Sequence, residues 1–436
     1  EHVASAQETL HWLGLNWDEG PGQDGPYGPY RQSERTGLYH QWAQRFLDTG
    51  HAYWCYCSPE ELAARRGEHP EADGYDRYCR TLTPDQAEAY LAQGRRPVLR
   101  FRMPDGPVTF TDLLRGEITV DQGDGTDFVI MRADGGPLPA LAGAVDDATM
   151  RITHIVRGED LLAVTPRQIA VYRAMGLPED QFPVFAHLPT LLAGDGQRLS
   201  QHHGVTSIDW YRRAGYVPEA LVNYLARLSW SPGGDSGDFS LDDLVGGFDL
   251  TQVQVSPAQF DPEQLEAVNG VKIRALTPAD FARRIVPFLA QVGLVTEPLS
   301  SDQMWFIRQG APLIQDRITR LTQAPDLLGF LLETGSRFTV SAPDAAAVLT
   351  ADAATPLKAA AEALAVLPEW TAAAIEAALR AALADGPGLD PGLAVAPVRV
   401  AVTGRRVSPP LFESMELLGR DPSLARLAAA QASLPA

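Results

Sequence analysis

Between Leu141 and Gly204 the chain sets its residues in an order that few folds accommodate. Ile152-Thr153-His154-Ile155-Val156 is a β-branched run suited to a buried parallel strand, and Arg157-Gly158-Glu159-Asp160 follows at its carboxyl end. Thr165 stands where a helix cap belongs, with Pro166 at the first helical position. Ile169, Ala170, Tyr172 and Met175 give that helix one apolar face. Strand, polar turn and capped helix predict one unit of a doubly wound α/β sheet. Ligands of such sheets collect beyond the carboxyl ends of the strands, so Arg157 to Asp160 are the first candidates for a site.

The chain has 436 residues, more than one core can organise, and three or more domains are expected. A hydrophobic content of 45% with 21% charged residues fits a soluble globular chain, and no run approaches bilayer length, which argues against a membrane role. His2 to Leu15 reads as an amphipathic helix, so the chain begins inside a domain with no signal peptide. Leu38 to Leu47 is again helical. Val98–Phe101, Val108–Thr111, Ile118–Val120 and Phe128–Met131 are short β runs between Gly and Pro, predicting an antiparallel insertion within the α/β domain. Parallel-sheet character returns from Leu141 to about Leu188. Trp210 to Ser229 is helical, and Phe248 to Gly270 continues into a small α-rich unit. Beyond Val271 the period is helical almost throughout, most clearly over Trp370 to Ala384, with Pro343, Pro387, Pro391 and Pro397 dividing the helices into two bundles.

Several phrases follow one another in a familiar order: Gly28-Pro29-Tyr30-Arg31-Gln32-Ser33-Glu34-Arg35, Val156-Arg157-Gly158-Glu159-Asp160-Leu161, Ser207-Ile208-Asp209-Trp210-Tyr211, Val268-Asn269-Gly270 and Ala401-Val402-Thr403-Gly404. Over nearly its whole length the chain resembles the glutamyl-tRNA synthetases of class I. The resemblance implies a multidomain α/β plus all-α protein. Its parts would be a doubly wound catalytic domain at 1–30 and 139–190, an inserted α+β acceptor-stem-binding module at 31–138, an α-rich connector with the signature loop at 191–272, and helical anticodon-binding bundles at 273–345 and 346–436. It also implies an earlier strand, a His-Ile-Gly-His-type helix start and an acidic loop upstream of Glu1, about 30 residues or more, and with them half of the nucleotide site.

The function so implied is ATP-dependent activation of glutamate and its transfer to tRNA(Glu), by a cytoplasmic monomer using ATP and magnesium. Alternatives from other classes are a non-catalytic tRNA-binding descendant and a tRNA-modifying paralogue; the helical third speaks against the paralogue. Guanidinium grips a carboxylate through two parallel hydrogen bonds, and the resemblance assigns Arg157 to the side chain of glutamate, with Asp160 beside it. The rival reading of Arg157 is an ion pair with Glu159 or Asp160. Arg198, Leu199, Ser200, Gln201 and His202 stand where the family carries a mobile Lys-Leu-Ser-Lys-Arg loop. Arg198 and Ser200 are thereby the expected catalytic residues, and Leu191, Arg198 and Ser200 the expected ATP contacts. Gln201 cannot follow a triphosphate as a charge, and His202 is mostly neutral at pH 7, so catalysis is expected to be impaired. Pro139 and Gly143 replace a Tyr and an Asn that bind glutamate in the family, and neither has a side chain able to hydrogen-bond. Arg31, Gln32 and Ser33 match a phrase that shapes the wall of the site; Ser33 could equally cap a helix. Gly329 stands near the position of an anticodon-reading arginine.

All three cysteines, Cys55, Cys57 and Cys79, lie in one segment. Cys-x-Cys with a third thiolate suits a tetrahedral structural zinc better than a disulfide framework, the alternative being three reduced thiols. The fourth ligand stays open between His51, His69 and Tyr75, the last favoured by the resemblance to family members with Tyr-x-x-x-Cys. The net charge of -19 excludes nonspecific coating of nucleic acid, so RNA would be met through local basic patches, with Arg283-Arg284, Arg317 with Arg320, and Arg405-Arg406 as candidates.

Overall fold

The computed structural model describes residues 2–68, 75–121, 127–200, 207–230, 239–333, 335–384 and 391–435. They form two compact units, one of residues 1–204 with 225–260 and the other of 205–224 with 261–436.

In the first unit, β1 (Ala52–Cys55), β2 (Val98–Phe101), β3 (Val108–Asp112), β4 (Gly116–Val120) and β5 (Phe128–Met131) precede β6 (His154–Gly158) and β7 (Val184–Leu188), and the short β8 (Leu191–Leu192) pairs with β9 (Ala258–Gln259). The β runs expected to form one antiparallel insertion divide between two sheets. Strands β1, β2 and β5 make an antiparallel sheet, whereas the β3–β4 hairpin joins β7 and β6 in the order β4-β3-β7-β6. The alternation along β3 explains the division. Val108, Phe110 and Asp112 point inward and Thr109 and Thr111 outward, so β3 offers an apolar face and delivers a carboxylate to the parallel sheet.

Strands β6 and β7 run parallel in full register from His154 opposite Val184 to Gly158 opposite Leu188, which sets Arg157 across from His187. Strand β3 meets β7 where Asp112 faces Phe185. The carboxyl ends of three parallel strands thus carry Asp112, His187 and Arg157 side by side. The helices Pro139–Thr149 and Thr165–Met175 cover the sheet, burying Leu141, Val145, Ile169 and Tyr172 in one core with Phe46, Phe101 and Phe185. A third helix, Thr36–Asp48, is tied to this core through Asp146, which accepts from Tyr39 Oη at 2.9 Å and from Arg35 Nε at 2.6 Å. No side-chain cap opens that helix, so Ser33 does not cap it.

The expected helix from Trp210 to Ser229 breaks into Ile208–Arg213, in the second unit, and Pro218–Ser229, which runs from the second unit into residues of the first. Gly215 sits at the break with φ +87°, and a Cβ there would fall 2.6 Å from the Thr322 amide nitrogen and 2.7 Å from that of Leu321. From Pro262 onward the described chain is helical, and Phe281, Ile285, Ile314, Leu357, Ile375, Val398, Met415 and Leu427 share one continuous core. Pro397, expected to end a helix, lies within Pro391–Thr403, where the buried Val398, Val400 and Val402 hold the helix against the lost backbone bond. Arg426 is 9% exposed, donates to the carbonyls of Val402 (2.6 Å), Phe330 (2.8 Å) and Glu333 (2.9 Å), and stacks 3.6 Å over Phe338. Burial lowers its pKa to about 10. A lysine can neither fork between carbonyls nor stack as a plane. Arg426→Lys is therefore expected to destabilise this unit by about 2 kcal/mol, read as a drop in thermal midpoint.

No described helix is long and apolar enough to cross a membrane.

Candidate active site

Arg157 ends its strand half-buried, and each of its three guanidinium nitrogens donates to a neutral acceptor: Nε to His187 Nε2 at 3.1 Å, Nη1 to Gln168 Oε1 at 3.0 Å, and Nη2 to Thr165 Oγ1 at 2.8 Å. Burial lowers its pKa, with Asp147 and Asp160 opposing from a distance. Among the described residues no carboxylate is hydrogen-bonded to it, and Glu159 and Asp160 pair elsewhere, which removes the rival reading as an ion pair. Glu159 instead receives the Thr190 hydroxyl, the Thr190 amide at 2.8 Å and Arg115 Nη2 at 2.6 Å, tying β7 to the turn, and these bonds, the Thr190 hydroxyl above all, hold its pKa below the usual carboxylate range. The guanidinium is therefore oriented by neutral groups, with Asp147 and Asp160 acting on it only from a distance, and is suited to an anionic ligand.

Thr165, expected to cap its helix, makes no cap bond. Its hydroxyl turns toward Arg157 and His187, so the helix start serves the site and forgoes its own end. Behind Gln168, Asp147 accepts from Gln168 Nε2 at 2.6 Å and Tyr172 Oη at 2.8 Å, and burial raises its pKa despite these bonds. Asp160, expected beside the substrate, lies 3.1 Å from Arg198 Nη2 in an exposed ion pair. That pair joins the Arg157–Asp160 turn to a hairpin in which Leu191 O accepts from Leu199 N at 2.7 Å and Ala193 N donates to Gln197 O at 2.8 Å. The structure thus brings Arg157, Asp160, Leu191 and Arg198 into neighbouring turns, with Ser200 two residues beyond Arg198. Gln201 and His202 lie outside the described residues. Pro139 occupies the first turn of its helix, and a Cβ on Gly143 would meet nothing within 4 Å, so space stands where a longer side chain could project. Elsewhere in this unit a cavity of about 410 Å³ lined by Thr109, Ile169 and Phe182 contains none of these polar groups.

The cysteine reading gathers as expected. The three Sγ atoms lie within 4.8 Å of one another, and Tyr75 Oη is 3.3 Å from Cys55 Sγ and 3.8 Å from Cys57 Sγ. A zinc at 2.3 Å from each thiolate would separate tetrahedral sulfurs by about 3.8 Å, so the cluster fits with small adjustments. Around it the Tyr56 amide donates to Cys79 Sγ at 3.4 Å and Arg65 Nη2 to Cys57 Sγ at 3.0 Å, donors that suit anionic sulfur. Hydrogen bonds from Cys57 and Cys79 draw the Cys55 thiol far below its ordinary value, while the thiol contacts push Cys57 up and burial with the same thiols pushes Tyr75 up, so Cys55 is the group that ionises first. His51 turns away to Thr49 Oγ1, while Tyr75 Oη lies beside the thiols; His69 lies outside the described residues.

The basic patches are partly consumed by ion pairs: Arg283 and Arg284 with Asp280, Arg284 also with Glu219, Arg320 with Glu266, and Arg405 with Asp326. Gly329 is buried in its helix, and a Cβ there would meet Leu294 at 3.4 Å, an ordinary contact.

Sequence reasoning missed His187, Asp112 and Gln168. A polar residue inside the run Val-Phe-Ala-His-Leu was the available signal for His187.

A model of the tRNA synthetases class I (E and Q), catalytic domain, matches residues 1–267, and one of an anticodon binding domain matches 260–431. The glutamate–tRNA ligase of Kocuria rhizophila is 47% identical over 435 residues, covering 98% of this chain and 85% of its own length. That of Saccharopolyspora erythraea is also 47% identical, over 98% of this chain and 86% of its own. A crystal structure of a glutamate tRNA ligase from Elizabethkingia meningosepticum, in complex with its amino acid, superposes with a TM-score of 0.79 at 27% identity over 98% of this chain and 88% of that one. The chain belongs to the class I tRNA synthetases of the E and Q group, with a catalytic and an anticodon-binding region. The relatives lend no support to a non-catalytic binder or a tRNA-modifying paralogue.

Proposed function

We infer that this chain is a glutamate–tRNA ligase, which activates glutamate with ATP and transfers it to tRNA(Glu). The observation that carries the reading is the Arg157 guanidinium, held by three neutral acceptors at a strand end with no acid among the described residues hydrogen-bonded to it. Such a group holds the side-chain carboxylate of glutamate and leaves the α-carboxylate free to attack the α-phosphorus of ATP. The bond to pyrophosphate breaks, and a terminal ribose hydroxyl of tRNA then attacks the acyl carbon and releases AMP. Charge grows on the departing pyrophosphate, where Arg198 and Ser200 are placed to act with the magnesium that ATP carries, and Leu191 lies against the nucleotide. Asp160 serves by holding Arg198 before ATP competes for it. The module at 31–138 receives the acceptor stem, stabilised by zinc on Cys55, Cys57, Tyr75 and Cys79, and the helices of 273–345 and 346–436 receive the anticodon. The enzyme works as a cytoplasmic monomer.

Glutamate-dependent, tRNA-dependent ATP–pyrophosphate exchange on the complete open reading frame tests the reading: exchange with glutamate and none with glutamine or aspartate is expected, and no exchange above background would refute it. Because Gln201 carries no charge, Gln201→Lys is expected to raise the exchange rate about tenfold in the same assay.

A further inference from the structure

Asp112 and His187 are both fully buried, and neither is needed to bind or activate a substrate directly. Their hydrogen bonds nevertheless fix a protonation pattern. A guanidinium only donates, so the 3.1 Å contact from Arg157 Nε requires a lone pair on His187 Nε2. The imidazole proton then sits on Nδ1 and is donated to Asp112 Oδ2 at 2.7 Å. Asp112 itself cannot turn. Its Oδ1 takes the amides of Leu114 and Arg115 at 3.0 Å each, and its Oδ2 also takes the His187 amide at 3.1 Å. The chain of bonds runs from backbone amides through carboxylate and neutral imidazole to the guanidinium, across three strand ends fixed in register.

The consequence lies in the donor count. A guanidinium has five N–H groups, and those taken by His187, Gln168 and Thr165 leave two, one on each terminal nitrogen. That is what a carboxylate needs for two parallel bonds. With Nε committed to His187, the ligand must be met end-on through Nη1 and Nη2. A protonated His187, or the other tautomer, would set an N–H against Nε–H and release the fork.

We propose that His187, held by Asp112 with its proton on Nδ1, is a positioning residue that aims Arg157 and reserves its two terminal N–H groups for the substrate carboxylate. This rests on the reading of Arg157 as the partner of the glutamate side chain.

The test compares His187→Leu and His187→Gln with wild type and Arg157→Lys in tRNA-dependent exchange on the full chain. His187→Leu removes the acceptor and is expected to raise the glutamate KM about tenfold with kcat and the ATP KM little changed. His187→Gln places an amide oxygen near the Nε2 position and is expected to recover most of that loss. An unchanged glutamate KM in His187→Leu would overturn the proposal, as would equal losses in both variants spread over kcat and both KM values. If Arg157→Lys itself leaves the glutamate KM untouched, the reading of Arg157 fails instead, and this proposal with it. An independent readout covers a variant that does not fold. In ¹⁵N-histidine-labelled wild type at pH 7, the buried resonance that is missing from His187→Gln is expected to show a protonated Nδ1 and a bare Nε2. A proton on Nε2 would refute the proposal.

Discussion

Arg157→Gln is expected to lower kcat/KM for glutamate by about a hundredfold or more, equivalent to roughly 3 kcal/mol of transition-state binding. The substitution keeps polarity but shortens the side chain and removes the guanidinium hydrogen-bonded to the side chains of His187, Thr165 and Gln168, so a bound carboxylate would meet a neutral amide. Arg157→Lys retains charge without the fork and is expected to lose about tenfold. The glutamate KM should carry most of the change and the ATP KM little, because Arg198 and Ser200 are untouched. The thermal midpoint should move little, since the half-buried guanidinium hydrogen-bonds to neutral groups and gives up no ion pair among the described residues. Steady-state exchange with glutamate and ATP varied separately checks both parts.

The second large effect concerns the thiol cluster. Freshly purified chain is expected to hold about one zinc per molecule, and Cys79→Ser about a tenth of that or less. Cys79 Sγ lies 3.3 Å from Cys57 Sγ and accepts the Tyr56 amide, so its loss opens the centre and frees the strand β1 that carries Cys55. Metal removal by chelator should lower the melting temperature on the order of 10 °C, since zinc binding becomes folding free energy where no site exists in the unfolded chain. Tyr75→Phe should keep three thiolates and bind zinc more weakly, whereas unchanged affinity would place the fourth ligand elsewhere. Less than about half an equivalent of zinc in wild type would refute the metal reading.

The parts legible in the sequence were those written locally. The Arg157–Asp160 turn after a β-branched run, the helical period beyond Val271, and the Cys-x-Cys all declare themselves within a few residues, whereas Tyr75 was offered only by the family resemblance. Asp112, His187 and Arg157 are separated by 75 residues between the first two and 30 between the last two, and only parallel pairing in register makes them neighbours. Thr165 misled for a related reason, because a hydroxyl at a helix start has a local use, and only the strand beside it supplies a better one. The β3–β4 hairpin read as part of an insertion since its turn residues are local, while its partner β7 comes some seventy residues later. The arginine pairs were visible as charge, but their acids, such as Glu219 for Arg284, were not.

The most direct measurement is a crystal structure of this chain with glutamate bound. The side-chain carboxylate is expected about 2.8 Å from both Nη1 and Nη2 of Arg157, with Nε still on His187. Glutamate bound with that carboxylate away from Arg157, or Arg157 turned onto an acidic residue, would contradict the account.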